Sequence, residues 1–254
     1  MAVIEHQLYN ELFKNVRVWA MPAIEERIRR EGYQVILGLS PSHEFSPKQR
    51  YEYGSYYWCN RLWEAFDRLR DIRNMIGRSL YRKKNEEKSV LLQEWIVYNY
   101  EHYAIVYQSI LEIALLLTND IFDMGTPYEK CSYSTVYNNT RLAGTGVRNI
   151  LKELSNITHK HREGKNFLVH RGERIKLPIE SRTFAEVDVI NMAIKLGLET
   201  KEDVKEALKL FLEIHTKRDL LVIMDKEYKQ IELQVEKLFD KLLPYYRRMR
   251  SFYS

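Results

Sequence analysis

The chain has 254 residues, 45% hydrophobic and 30% charged, with a formal net charge of +5 and a pI near 9.0. This composition excludes a disordered chain and suits one large domain, or a domain with an appendage, on a scale of roughly 100–200 residues per domain. With ten glycines and six prolines turn-formers are scarce, which favours long helices over many short strands.

Residues 3–31 read as helix interrupted at Pro22, where Glu25 and Glu26 favour a restart at a positive helix end. "YQVILGLSPSHEFSP" at 33–47 breaks the helical pattern, so a boundary is placed there: 1–47 as an N-terminal helical extension and 48–254 as a helical bundle domain. From Lys48 to Leu80, Leu62, Phe66, Leu69, Ile72, Ile76 and Leu80 recur at steps of three and four and mark one buried face. Glu64 and Arg68, four apart, are expected to pair in solvent.

A helix from Ser89 to Thr118 carries Leu92, Asn99, Tyr103, Val106, Ile110, Ile113 and Leu117 on its stripe, with His102, Ser109 and Glu112 beside it. After a connector at 122–139, a third helix turns Val147, Ile150, Leu151, Leu154 and Ile157 inward. Two shorter helices are expected near 183–196 and 201–217. In the last helix Leu221, Met224, Tyr228, Ile231, Val235, Leu238, Leu242 and Tyr245 alternate steps of three and four, the repeat of bundle packing. The fold expected is all-α: an up-and-down four-helix bundle with additional N-terminal and inserted helices.

Several chemistries find no support. The two cysteines, Cys59 and Cys131, form no CxxC pair, which excludes a cysteine-based zinc site and argues against a disulfide framework. None of the seven histidines has a glutamate three residues before it, as the carboxylate-bridged metal sites of bundles require. His159 and His161 diverge by about 200° on a helix, a poor chelate. No nucleophile elbow, Walker loop or GxGxxG is present. No metal or other cofactor is expected. The start "MAVIEHQLYNELF" lacks a signal core, and the longest aliphatic run, "IALLL" at 113–117, is far short of a membrane span. A soluble cytoplasmic protein without membrane association is expected.

The informative stretch is "HREGKNFLVHRGER" at 161–174. Its segment "KNFLVHRGE" resembles the signature of the HEPN superfamily, the higher-eukaryote and prokaryote nucleotide-binding domains, in which an Arg is followed by four to six residues and then His. Lys165 takes the Arg position, Asn166 the polar position after it, and His170 the histidine; the ending "VHRG" is similar to stand-alone bacterial members. The order of helices around the "NDIFDMG" connector is also similar, over about residues 48–250. The resemblance implies an α-helical homodimer with two motifs facing each other. It further implies either a metal-independent ribonuclease of a defence, toxin–antitoxin or RNA-processing system, with a cognate inhibitor protein as partner in some cases, or a catalytically inactive nucleic-acid-binding or assembly module.

The chemistry fits these residue types. RNA carries its own nucleophile, the 2′-hydroxyl, so an enzyme has only to move protons and stabilise phosphoryl charge. A histidine, with an ordinary pKa of about 6.5, does the first near neutral pH. A cation such as Lys165 does the second, without the planar fork of the family's arginine. Asn166 would orient the imidazole or hold phosphate. Arg162 and Arg171 are expected to contact RNA, as are Arg247 and Arg248 in the C-terminal "YYRRMRSFYS", where Tyr245, Tyr246 or Phe252 would stack on bases. Where some relatives carry a modifiable Tyr two residues after the His, this chain has Gly172, so that regulation is not carried over.

Overall fold

The computed structural model describes residues 5–31, 45–78, 88–171, 177–178, 189, 192–193, 196–197, 204 and 216–253, and within these all side chains but those of 26–31, 88–93 and 163–171. The fold is all-α. The helices are α1 (Gln7–Glu31), α2 (Pro47–Gly77), α3 (Lys88–Ile121), the short α4 (Tyr133–Tyr137), α5 (Val147–Arg171) and α6 (Lys217–Phe252). Single 3-10 turns at Tyr128–Lys130 and Thr140–Leu142 flank α4. Ser132 caps α4 by accepting from the Thr135 amide. The expected helices near 183–196 and 201–217 fall almost entirely outside the described residues, as does the 33–44 stretch.

The expected interruption at Pro22 does not occur: α1 is continuous through it. Proline removes the amide that would reach the Val18 carbonyl. Pro22 is exposed and Val18 is 71% exposed, so water can serve that carbonyl. α6 likewise runs through the exposed Pro244. Glu64 pairs with Arg61, at 2.8 Å, rather than with Arg68; Glu64 also accepts from the Asn60 amide one turn earlier.

The contacts divide the chain into two compact units, and α2, α3, α5 and α6 contribute to both. The first comprises Met1–Phe66, Ser109–Ile157 and Ile231–Ser254. Its core holds Leu8 and Leu12 of α1, Cys59 and Leu62 of α2, Leu117 of α3, Leu151 of α5, and Val235, Leu238 and Phe239 of α6. Polar contacts fix α1 in that unit: His6 to Asp240, Asn15 to the Tyr246 hydroxyl, and Trp19 to Glu52, which is itself paired with Arg250. Both cysteines are free thiols.

The second unit comprises Asp67–Gln108 and Thr158–Gln230. Leu69, Ile72 and Ile76 of α2 are buried, and Arg73 of α2 grips Asp225 of α6 with two bonds of 2.9 Å. Asn99, the polar residue on the α3 stripe, is buried and donates to the Trp95 carbonyl, so its amide is partly satisfied within its own helix. Glu94–Ile121 is long and apolar enough to cross a membrane by length and composition, and 67% of its apolar window is buried inside the protein. Its apolarity is spread along the helix rather than gathered in "IALLL".

Candidate functional site

α5 carries the motif stretch, and its buried line runs Val147, Leu151, Leu154, Thr158, His161. These are steps of four and three, so His161 occupies a position where an apolar side chain would ordinarily sit. Burying an imidazole requires a partner, and α6 supplies one. His161 Nε2 lies 3.1 Å from Glu227 Oε2, and both side chains are 5% exposed. Lys160, its side chain half exposed, reaches the other carboxylate oxygen at 2.7 Å.

Three tyrosines of α3, at steps of three and four, close around this pair. The Tyr107 ring meets the imidazole edge-on at 4.9 Å, with Tyr100 and Tyr103 at 6.1 and 6.2 Å. The Tyr103 hydroxyl donates to the Met224 carbonyl and that of Tyr107 to the Glu227 carbonyl. A carbonyl has two lone pairs, so each can accept from a tyrosine besides its helix amide. Burial first, and then the nearby Glu227 charge, push all three phenols up, which keeps them protonated as donors. Burial also pushes the Glu227 carboxyl up, but hydrogen bonds and charge from His161 and Lys160 outweigh it and hold the group below the ordinary glutamate range. This clasp joins α3, α5 and α6 within the second unit. With His161 4% exposed, it positions α5 rather than meeting a substrate.

Position 165 follows His161 by one helical turn. The helix continues through Gly164 to Arg171, which decides how the motif positions are arrayed. Positions 165 and 170 are separated by about 7.5 Å along the axis and about 140° around it. Positions 162, 166 and 170, in contrast, follow one another at steps of four, on the line where Arg162 is exposed. The side chains of Lys165, Asn166, His170 and Arg171 lie outside the described residues. His159 is exposed while His161 is buried, so the two face apart.

At the C-terminus, Arg248 is exposed, whereas Arg247 forms a forked ion pair with Glu11. Phe252 is 81% exposed and free to stack. Tyr246 is not: it is fully buried, receives the Asn15 amide, and stacks on Tyr51 at 5.8 Å. It falls on the inward face of α6, with Leu242 and Leu243 one turn earlier.

A second polar constellation lies in the first unit, at the end of α3. The Asp120 carboxylate accepts from the Tyr128 hydroxyl at 3.2 Å and from the Asn119 amide at 3.3 Å. Asn119 also clamps the connector, bonding both the amide and the carbonyl of Thr126. Burial pushes the Asp120 carboxyl up to about 6, against hydrogen bonds from Tyr128 and Asn119 that pull it down. Asp123 takes the left-handed conformation at φ 47°, which the residue tolerates, and accepts from the Tyr253 hydroxyl. Among the described residues, no three His, Cys, Asp or Glu side chains gather as metal ligands would.

Glu227, the three tyrosines and Asp120 were not singled out by sequence reasoning. A signal existed for the clasp: His161 extends an otherwise buried line on α5, and Tyr100, Tyr103 and Tyr107 share one line on α3.

An all-α chain with a polar motif on a long internal helix and a closing helix that packs behind it defines a class of helical domain. The chain belongs to the HEPN superfamily: the family model described as HEPN_Cthe2314-like HEPN matches residues 58–242, more than half of it. No curated protein and no solved structure matches the chain.

Proposed function

We propose that the protein is a metal-independent endoribonuclease whose reaction uses the 2′-hydroxyl of RNA as nucleophile. HEPN membership supports a nucleotide-binding or ribonuclease-like role, and the helical line through Arg162, Asn166 and position 170 is the observation that carries the finer reading. In this scheme His170 takes the 2′-hydroxyl proton as the oxygen attacks the adjacent phosphorus. The P–O5′ bond breaks, a 2′,3′-cyclic phosphate forms, and the departing 5′-oxygen takes a proton from a second acid. Lys165 and Arg162 stabilise the phosphoryl oxygens, and Asn166 orients the imidazole or the phosphate. A symmetric dimer would bring the second histidine, since base and acid act on opposite sides of phosphorus. Arg171, next to His170 in the chain, adds a further phosphate contact. The setting would be defence, toxin–antitoxin or RNA processing, with a cognate inhibitor protein as a partner in the first two.

The test is incubation of the purified chain with mixed RNAs in EDTA. Cleavage to 2′,3′-cyclic phosphate ends, absent for His170→Ala, is the expected result. No cleavage at any pH, with RNA binding retained, would instead identify a non-catalytic binding module. Lys165 in the family's arginine position favours that second reading, because an ammonium cannot grip phosphate bidentately.

A further inference from the structure

Along α2, Arg50, Tyr53, Gly54, Tyr57 and Trp58 fall at steps of three, four, seven and eight, so they share one face. On such a face a buried stripe is the usual outcome, yet Arg50 is exposed, Tyr57 is 39% exposed, and Tyr53, Gly54 and Trp58 are half-buried. Together with Phe45 before the helix and Tyr128 of the connector, this face lines a cleft of about 560 Å³. That lies within the roughly 300–1,000 Å³ typical of small-molecule sites. The walls are braced by their own ring contacts: Tyr57 meets Trp58 edge-on at 4.8 Å, and Trp58 meets Tyr128 at 5.2 Å. Gly54 adds no side chain to the wall, and the Asp120 carboxylate packs directly against it.

Charge selects the occupant. Arg50 is the one formally charged residue among those lining this cleft, and its guanidinium has no ion-pair partner among the described residues. A bare aromatic cage suits a cation, but an unpaired arginine at the rim repels one. The lining instead suits a flat ring that carries an anionic group. Arg50 and Tyr128 also border the adjoining cleft of about 600 Å³, which holds Asp120, Asp123 and Glu129. Those carboxylates suit hydroxyl donors, as on a ribose, and disfavour a second phosphate.

We propose that this cleft binds a nucleoside phosphate, with the base against the Tyr53, Tyr57 and Tyr128 rings and the phosphate on Arg50. The unit would be either a free mononucleotide or one nucleotide of a single-stranded RNA. The RNA arm rests on the reading of the chain as an RNA-handling protein; the cleft itself is built from residues outside the α5 motif.

The test uses the full-length His170→Ala chain in EDTA, so that no probe is cleaved. Three probes are titrated: a short oligo(A), a base-free phosphodiester chain of equal length, and AMP. Oligo(A) is expected to bind at least about tenfold more tightly than the base-free chain, since base stacking on aromatic side chains is worth that much per base. Tyr57→Ala, at an exposed position, should remove about that factor. Arg50→Gln, also exposed, should weaken binding and make the log–log salt slope shallower by about 0.7, one phosphate contact on a single strand. Binding of AMP that Tyr57→Ala and Arg50→Gln both weaken assigns a free mononucleotide; binding of oligo(A) alone assigns a strand. Equal affinity for the base-free chain, or affinity indifferent to both substitutions, overturns the proposal. Cleavage by the otherwise wild-type chain is read separately, so failure of the cleft and failure of the ribonuclease reading are distinct results.

Discussion

Gly54 of α2 backs directly onto the carboxylate of Asp120 of α3: a Cβ on Gly54 would stand 2.6 Å from Asp120 Oδ2. Glycine inside a helix costs about 0.5–1 kcal/mol relative to alanine, so its place in mid-α2 needs a reason, and this close approach provides one. Gly54→Ala should destabilise the protein by about 1–3 kcal/mol, the usual cost of overpacking, despite the gain in helix propensity. With Asp120→Ala already present, the same Gly54→Ala change should stabilise by about 0.5–1 kcal/mol. Urea denaturation of the four chains measures the coupling. If Gly54→Ala alone raised stability, the contact would not constrain the site.

The Asp120 carboxyl, raised from its ordinary 3.8 to about 6, gives a pH dependence with a definite sign. Its protonated form is favoured by the fold, so this contribution is complete below the unfolded value of about 3.9 and is lost as pH rises through about 6. The whole effect has a ceiling of about 3 kcal/mol, from about 1.4 kcal/mol per pKa unit. Asp120→Asn keeps the shape and an acceptor but no charge. It should therefore match the native chain near pH 4 and exceed it in stability above pH 7, as seen in unfolding midpoints across that range. A constant difference at every pH would mean that the carboxyl is not held neutral by burial.

Periodicity made the long helices legible, because a face buried along its whole length repeats in the chain itself: Leu62, Phe66, Leu69, Ile72 and Ile76 all lie in the core. What depended on distant partners was not legible. Pro22 reads as a break, but the exposed side on which it falls makes its lost hydrogen bond tolerable. Asp120 stands at the end of α3, and Gly54 of α2 and the returning Tyr128, one distant in the chain and the other beyond the turn, close on its carboxylate. Glu227 reads as the polar edge of a heptad helix, and it becomes a core residue because His161, sixty-six positions earlier, meets it. The family signature at 165–170 was legible because it is local, while its arrangement depended on whether Gly164 ends α5.

The His161–Glu227 pair should behave as a coupled unit. Removing one partner leaves a buried polar group without its bond, so Glu227→Ala and His161→Ala should each cost about 3 kcal/mol or more. His161→Leu combined with Glu227→Leu should cost less than the single substitutions summed, since apolar groups of similar volume replace a buried pair with little loss. The pH dependence is opposite to that of Asp120. The depressed Glu227 carboxyl contributes stability that is complete above the unfolded value of about 4.3 and fades as pH falls through the lower folded value. Acid titration of thermal stability should therefore be steeper for the native chain than for the double-leucine variant. Parallel titrations, or strictly additive substitutions, would remove the clasp as a stabilising unit.

Gly164 stands between the clasp at His161 and position 170, and α5 passes through it as helix. If the proposed reaction depends on Arg162, Asn166 and His170 following one helical line, that line must be continuous there. Gly164→Ala removes a flexible residue from a helix interior, which should stabilise the protein by about 0.5–1 kcal/mol and leave RNA cleavage intact. Gly164→Pro should do the reverse. Its ring would clash with the Lys160 carbonyl and forfeit the amide bond to it, at a cost of about 3 kcal/mol or more, and would turn positions 166 and 170 off the line of Arg162. Loss of cleavage in Gly164→Pro, at a temperature where circular dichroism shows the remaining helices folded, together with full cleavage in Gly164→Ala, is the outcome expected of a motif carried on one unbroken helix. Equal cleavage by both variants would mean that the motif works independently of α5 continuity, and the helical line would then no longer support the assignment of Arg162 and Asn166.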